Sequence, residues 1–361
     1  MPSPGSDIIG CPFSQAGRTQ VIYLPDLFAS VMDMKNRVNP HYESVKVRSQ
    51  SFIKKALRLP DEVANKLWAA DFAYLTSTWI PDASEDRLYI LQLWQLWAFM
   101  FDDQFDEGVL SSNPLQAAEE VVNCLALLDC HYPILKEEHA SLAFLFQHIW
   151  LEFSKTATEY HKYRFKKAHR MYMMGLLRQV TVNTSSEANP TALSFDTYMT
   201  YRRDTIAVDP CYVLIEWAAG LVIPQEALDH RSVAACKIAS VEITCLDNDI
   251  VSLQKDLDLD VRHNAIPVLC ASTHCTVQQA VNKISDMLDK RYGAVIAALA
   301  DPQLSSGQWG AGVDHQIHTM LELYVRQAVG SLHWSFRSGR YFGDKGEEVR
   351  ATRLMHVTHK E

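Results

Sequence analysis

Apolar residues recur every three or four positions through much of this chain, which is the period of an amphipathic α-helix. Two long stretches of this kind are LYILQLWQLWAFMF at 88–101 and SVAACKIASVEITCL at 232–246. The strict alternation of apolar and polar residues that marks a strand is missing, and no linker, low-complexity tract or repeat divides the chain. Its 361 residues are enough to bury one large core. The pattern predicts a single, mostly α-helical domain.

The first of these stretches ends in a group of acids. In FDDQFDEG, at 101–108, Asp102 and Asp106 lie four positions apart, so on a helix they are only about 40° apart around the axis, while Asp103 is turned away by about 100°. Two carboxylates therefore face one point. Oxygen ligands without His or Cys favour a hard cation such as Mg²⁺. The alternative is a solvated helix end, because runs of charge often lie simply on the surface.

An apolar wall leads to this acidic pair. The same helical arithmetic places Trp94, Ala98 and Phe101 on the stripe that ends at Asp102. The combination indicates an apolar, partly aromatic pocket with a charged mouth.

The second stretch leads into another polar group, DNDIVSLQKDLDLD at 247–260. There Asn248, Ser252 and Asp256 follow at steps of four and share one helical face. An amide oxygen, a hydroxyl and a carboxylate in one row are again ligands for a hard metal ion. Lys255 lies beside them and can bind a phosphate oxygen. Either group alone can be an ordinary polar helix end, but two of them in one chain favour a metal site.

Composition narrows the range of partners. The formal net charge of −9 would repel nucleic acid. It would also repel a small anionic substrate unless divalent cations came between the two. No apolar run reaches the roughly 18 residues needed to span a bilayer, and the segment MPSPGSDIIG has no export signal. We therefore expect a cytoplasmic protein without an integral membrane segment.

The two motifs, in this order and at this separation, resemble those of class I terpene synthases. Asp102–Glu107 resembles the aspartate-rich motif of that family, and Asn248–Asp256 resembles its asparagine/serine/glutamate triad. Arg340–Tyr341 looks like the arginine–tyrosine pair that closes the last helix in microbial members. Phrases such as PDLF, NPHYE and DFAYL look most like fungal sesquiterpene synthases.

This resemblance implies a fold and its limits. The class I synthases that this chain resembles are all-α, single-domain helical bundles with a central active-site cavity, and the resemblance implies the same fold here. The matching region implies a synthase domain at 25–342, an N-terminal segment at 1–24 that can cap the site, and a mobile charged tail at 343–361. Either a monomer or a homodimer is compatible with it.

Two positions depart from the family pattern. Asp256 stands where the family more often has the longer glutamate. In YRRDTIAVDP, spacing to the triad points to Arg202 as the diphosphate sensor, whereas the local motif points to Arg203, which we favour. On that choice Ile206 is the linker and Ala207 replaces the usual glycine of the effector. An effector acting through its carbonyl tolerates alanine there, but a left-handed backbone would not.

The resemblance also implies the chemistry. It implies a Mg²⁺-dependent lyase that ionises a linear prenyl diphosphate and cyclises the resulting allylic carbocation. Because the resemblance is to sesquiterpene synthases, the implied substrate is farnesyl diphosphate and the implied product is a sesquiterpene hydrocarbon or alcohol. The implied ligands of three Mg²⁺ ions are Asp102, Asp106, Asn248, Ser252 and Asp256. The implied donors to the diphosphate are Arg203, Lys255, Arg340 and Tyr341, with Arg202 as the alternative sensor.

Aromatic faces can stabilise a carbocation by about 0.5 to 2 kcal/mol each without attacking it. Four candidates lie on or near the helical faces that carry the motifs: Phe72, Trp94, Phe101 and Trp334. Trp309, in GQWG, is expected in a loop before the last helix and can equally be a surface anchor. An aromatic on a helical stripe is also commonly plain core.

Three other functions stay open. A cyclase of geranylgeranyl diphosphate would share every motif. A chain-elongating prenyltransferase would share the fold, but it would carry a second aspartate-rich motif in place of Asn248–Asp256. A non-enzymatic helical interaction protein would carry its acids merely on the surface.

Overall fold

The computed structural model describes residues 19–129, 131–184 and 193–358, which are almost entirely helical. The helices of the first half are α1 (Tyr42–Ala56), α2 (Asp61–Ala69), α3 (Phe72–Trp79), α4 (Glu85–Asp106), α5 (Pro114–Ala126), α6 (Leu142–Thr156), α7 (Glu159–Thr184) and α8 (Phe195–Thr205). Those of the second half are α9 (Val208–Ala219), α10 (Gln225–Leu228), α11 (Arg231–Val251), α12 (Leu253–Asp258), α13 (Ala265–Thr273), α14 (Val277–Leu299), α15 (Ala311–Arg337) and α16 (Gly346–Thr352). Short 3₁₀ turns lie at Ser30–Asp33, Glu137–His139, Pro302–Ser305 and Gly343–Lys345.

Helix α4 runs through the core. Every side chain from Leu88 to Ala98 is buried, and a helix that is buried on all sides lies between others rather than at a surface. It packs against α1, α3, α6, α7 and α9. Its last turn carries Asp102 and Asp106, where the negative end of the helix dipole disfavours carboxylates. These acids are therefore not there to stabilise the helix.

Helices α11 and α15 pack side by side and run in the same direction. Thr244 of α11 donates a hydrogen bond to Gln327 of α15, and four residues later Asn248 donates one to Tyr341, just beyond the end of α15. Both helices therefore end at the same side of the bundle, beside the end of α4.

A two-stranded antiparallel ribbon joins the two ends of the described chain. Strand β1 (Thr19–Tyr23) pairs with β2 (Leu354–Thr358), with Thr19 opposite Thr358. The expectation of a mobile tail from residue 343 is corrected for 343–358, because these residues form α16 and β2 and bury Val349, Met355 and Val357. Residues 1–18 of the expected N-terminal segment and 359–361 of the tail lie outside the described residues.

The helices otherwise match the expectation of an all-α protein. In the described ranges, none of them combines the length and apolarity that crossing a bilayer would require. The described cysteines are buried.

Candidate active site

A deep cavity opens where α4, α11 and α15 end. Such a concave site suits a small-molecule ligand. Of the residues singled out from the sequence, those that line it are Trp94, Ala98, Asp102, Asp106, Arg202, Ile206, Ala207, Asn248, Ser252, Lys255, Asp256, Trp334, Arg340 and Tyr341. The two polar groups and much of the aromatic set therefore meet at one cavity.

The two acids of α4 share one wall of the mouth. Asp102 accepts a hydrogen bond from the Tyr172 hydroxyl at 3.2 Å, and Asp106 accepts one from the Gln179 amide at 2.5 Å. Both donors lie on α7, and both are neutral, so neither balances the negative charge. Asp103 is turned away, as the helical arithmetic predicts, and pairs with Arg340 at 2.9 Å.

Burial makes these acids difficult to ionise. It raises the pKa of Asp102 well above its ordinary value, and the nearby carboxyls of Asp106 and Asp103 raise it further. Burial also raises the pKa of Asp106, although the hydrogen bond from Gln179 opposes this. A bound cation would favour the ionised forms and release protons.

The polar residues of α11 and α12 form the opposite wall. Asn248 accepts a hydrogen bond from Arg202 at 2.7 Å and donates one to Tyr341 at 3.0 Å. Ser252 donates to the Asp256 carboxylate at 2.5 Å, and Asn264 donates to the same oxygen at 2.9 Å. Asn264 was not singled out from the sequence because it lies beyond the motif at 247–260, immediately before α13.

The two neighbouring arginines of α8 belong to different places. Arg202 is buried at the cavity and pairs with Asp249 at 2.8 Å. Arg203 pairs with Glu242 at 2.5 Å, on a separate surface pocket with Arg291. The preference for Arg203 is corrected on this point, because successive helical residues point about 100° apart and only Arg202 faces the cavity.

Arg340 and Tyr341 line the cavity from the segment after α15. The guanidinium of Arg340 lies 4.7 Å from the centre of the Phe99 ring while it pairs with Asp103. Tyr341 is linked to Asn248, so α4 and α11 are each connected to the segment after α15. Lys255 lines the cavity from α12.

The aromatic candidates divide into lining and core. Trp94 and Trp334 line the cavity and are held by hydrogen bonds from their indole nitrogens, to His169 at 2.8 Å and to the Ala70 carbonyl at 2.5 Å. Phe72 and Phe101 are buried but are absent from the lining. Phe72 packs behind Phe99 and Trp334, and Phe101 stacks on Trp97.

Trp309 is also outside the cavity; its ring meets His230 edge to face at 5.5 Å. Phe99 and Trp79 do line the cavity, although neither was predicted from the sequence. Phe99 stands three positions before Asp102, so the same helical spacing would have found it.

Ala207 does adopt a left-handed backbone, with φ of 58° and ψ of 20°. The expectation that alanine would not be tolerated in that conformation is therefore wrong. Its carbonyl accepts a hydrogen bond from the Cys211 amide at 3.4 Å, so the residue also begins α9. The neighbouring Ile206 lines the cavity too.

The donor set fits a hard divalent cation. It consists of carboxylate, amide and hydroxyl oxygens from Asp102, Asp106, Asn248, Ser252 and Asp256. In the described part of the chain, no three His, Cys, Asp or Glu side chains converge as a complete metal site.

Comparison with known proteins agrees with these features. The family model described as "Terpene synthase family 2, C-terminal metal binding" matches residues 93–293. Terpene cyclase 4 of Gibberella fujikuroi is 36% identical over 93% of this chain and 90% of its own length. The (+)-eremophilene synthase of Gibberella fujikuroi is 33% identical over 96% of this chain and 95% of its own length.

Solved structures share the fold at lower sequence identity. The structure of a-eudesmol synthase aligns with a TM-score of 0.73 at 20% identity, over 85% of this chain and 98% of that chain. Germacradien-4-ol synthase from Streptomyces citricolor aligns with a TM-score of 0.72 at 18% identity, over 86% and 99%. The prediction of an all-α helical bundle of this fold class is confirmed.

Proposed function

The chain belongs to the terpene synthase family, and from this premise we propose that it cyclises farnesyl diphosphate to a sesquiterpene with Mg²⁺ as the metal ion. Its relatives of more than 30% identity carry names of terpene cyclases and synthases over nearly the whole chain. The observation that carries the proposal is the cavity itself, in which oxygen ligands at the mouth adjoin an aromatic wall.

The metal ions would be held by residues of both walls. Asp102 and Asp106 would bind from α4, and Asn248, Ser252 and Asp256 from α11 and α12. When bound, the ions would neutralise the diphosphate and stabilise it as a leaving group. Three ions is the number implied by the family resemblance, and six positive charges would reverse the sign of the acidic mouth.

The cationic side chains at the mouth would orient the diphosphate. Arg202, Lys255 and Arg340 can donate charge-assisted hydrogen bonds to its oxygens, and Tyr341 can donate a neutral one. Arg202 is favoured as the sensor because it lies at the cavity and contacts Asn248 at 2.7 Å. The C–O bond would then break, with its electron pair leaving on the diphosphate.

The remaining allylic carbocation has to be kept from bulk water. Trp94, Phe99 and Trp334 would present aromatic faces that stabilise the cation by about 0.5 to 2 kcal/mol each. Closure of the mouth by Arg340 and Tyr341 would exclude solvent during the cyclisation. A cytoplasmic location and a monomeric or homodimeric state are further expectations from the sequence.

The test is a product analysis. Purified protein is incubated with farnesyl diphosphate and Mg²⁺, with and without a chelator, and the extract is analysed by gas chromatography. We expect cyclic fifteen-carbon products that disappear with the chelator. Parallel reactions with geranylgeranyl diphosphate, and with farnesyl plus isopentenyl diphosphate, identify the alternatives. Longer prenyl chains that form only when isopentenyl diphosphate is present would contradict the proposal.

A further inference from the structure

One side of the cavity carries a group of polar side chains. The polar side chains come from two adjacent helices, α11 and α15, and lie one turn or less below the metal-binding end. We call them the α11–α15 polar cluster: Thr244, Asp247, Gln327 and Ser331, all of which line the cavity.

Asp247 is the least satisfied member. Its residue is only 5% exposed, and neither carboxyl oxygen accepts a hydrogen bond from any group in the described residues. A buried polar group without a partner is costly, so its environment calls for a ligand that donates hydrogen bonds. A carboxyl group can accept such bonds whether or not it is ionised.

The other members supply donors at the same level. Ser331 accepts hydrogen bonds from Trp79 at 3.2 Å and Gln327 at 3.1 Å, so its own hydroxyl hydrogen is left to donate and finds no acceptor in the ranges described. Gln327 uses one of its two amide hydrogens in that bond and is fixed by Thr244 at 3.2 Å.

The helix geometry brings these groups together. Asp247 follows Thr244 by three residues and Ser331 follows Gln327 by four, so each is one turn further along its own helix. Because the two helices run in the same direction and are joined at Thr244 and Gln327, Asp247 and Ser331 lie at the same level of the cavity.

Acceptors and donors side by side suit a ligand that both donates and accepts, which is what water does with two to four polar partners. A carbocation would be matched by acceptors and aromatic faces alone, and the inward donors would oppose it. We propose that the α11–α15 polar cluster binds one water molecule and that this water attacks the last carbocation, so that the main product is a terpene alcohol.

This inference rests on the proposed function and deepens it. A lone pair of the water oxygen forms the new C–O bond, and the positive charge moves to that oxygen. The excess proton leaves the oxygen and ends on the diphosphate anion, which the first step of the same reaction releases. Water held at one place can react only with a cationic carbon that reaches it, so the cluster would also determine where the hydroxyl is added.

The first test uses the wild-type protein with farnesyl diphosphate and Mg²⁺ in H₂¹⁸O. We expect a cyclic alcohol as the main product, carrying the heavy oxygen, together with an equal amount of released diphosphate. A wild-type product mixture of hydrocarbons alone would overturn the inference and leave the proposed function standing. Absence of diphosphate release would overturn the proposed function and the inference with it.

The second test removes the cluster's contacts one at a time. Ser331→Ala and Asp247→Leu should each lower the ratio of alcohol to hydrocarbon about fivefold or more, since one hydrogen bond is lost. Asp247→Asn keeps an acceptor oxygen and should preserve the alcohol. Diphosphate release measures total turnover separately. It therefore distinguishes a variant with a damaged fold from one in which only the quenching of the last carbocation has changed.

A matched control comes from elsewhere in the core. Thr76 donates a hydrogen bond to Gln92 at 3.0 Å, which is the same pairing as that of Thr244 with Gln327. Unlike that pair, neither Thr76 nor Gln92 lines the cavity. Thr244→Val should lower the alcohol share, whereas Thr76→Val should leave it unchanged. Equal product ratios in Ser331→Ala, Thr244→Val and the wild type would overturn the assignment of the cluster.

Discussion

At the scale of single residues, Arg202 and Arg203 differ in whether their carboxylate partner would keep another cation if the arginine were removed. Arg202 and Asp249 form a buried ion pair, to which Tyr198 adds a hydrogen bond. Arg203→Ala would leave Glu242 paired with Arg291, whereas Arg202→Ala would leave Asp249 buried without a cation.

We expect Arg202→Ala to lower the free energy of unfolding by about 3 to 5 kcal/mol. Arg203→Ala should cost about 1 kcal/mol or less, because the Arg203 side chain is partly exposed and Glu242 keeps Arg291 as its partner. Urea denaturation of both variants measures the difference, and diphosphate release assayed below both melting temperatures compares their activities. Equal losses of stability and activity would contradict the separation of the two arginines.

Ala207 holds a left-handed backbone that glycine adopts at little cost. Ala207→Gly should therefore raise the free energy of unfolding by up to about 1 kcal/mol, because the strain of the left-handed conformation exceeds the added flexibility of the unfolded chain. Ala300, which ends α14 with φ of −87°, is the matched control. Ala300→Gly should be destabilising, and a destabilised Ala207→Gly would contradict the argument.

His169 makes the stability of the folded protein depend on pH. Burial lowers the pKa of His169 to about 3, while one ring nitrogen accepts from Trp94 and the other lies 2.8 Å from the Phe165 carbonyl. The folded-state pKa is below the unfolded value of roughly 6.5, so the unfolded chain takes up a proton first. The stabilisation is therefore fully present above pH 6.5 and is lost as the pH falls.

His169→Gln keeps a donor and an acceptor but cannot be protonated. Between pH 7 and 5.5 the wild type should lose about 1.3 kcal/mol more of its free energy of unfolding than this variant does. Denaturation curves at the two pH values give the difference, in which the contributions of all other groups cancel. The same pH dependence in both proteins would show that His169 titrates freely.

At the scale of elements, helical arithmetic predicted the faces of α4 but not their surroundings. It placed Asp102 and Asp106 together and turned Asp103 away, and the structure agrees. It also predicted that Phe101 lines the cavity, whereas the ring that lines it is that of Phe99, two residues earlier. A helix that is apolar all round gives no sign in sequence of which neighbour covers which face.

Pairing across distant parts of the chain was equally hidden in the sequence. Nothing local indicates that Thr19–Tyr23 pairs with Leu354–Thr358, because short strands in a charged segment resemble loop. The contacts of Asn264 with Asp256 and of Arg340 with Asp103 likewise depend on tertiary packing. Motif spacing identified the two rows of candidate metal ligands, and the fold was needed to show their partners.

Two glutamines clamp the terminal ribbon at its opposite ends. Gln254 of α12 exchanges two hydrogen bonds with the backbone of Thr358, and Gln278 of α14 does the same with Tyr23. Since α12 also carries Lys255 and Asp256, the ribbon supports one wall of the site.

Gln254→Ala should therefore reduce the protection of the Thr358 amide and of α12 against hydrogen exchange, by about 1 to 2 kcal/mol for two lost bonds. Gln278→Ala is the matched control and should expose the Tyr23 amide while leaving α12 protected. Unchanged exchange in α12 in the Gln254 variant would show that the ribbon does not support this helix.

At the scale of the whole molecule, α4 and α11 would form two sides of one site for metal and diphosphate. An acidic protein should bind an anionic diphosphate only weakly without divalent cations. A ligand that binds only the folded state raises its stability, by about 2.7 kcal/mol at a hundredfold excess over the Kd.

The most direct measurement is the melting temperature with Mg²⁺, with inorganic diphosphate and with both. We expect a rise of several degrees only when both are present, and we expect Asn248→Ala and Asp102→Ala, on opposite walls, to abolish this rise. A melting temperature unchanged by the two together in the wild type, or a full rise in both variants, would contradict this expectation.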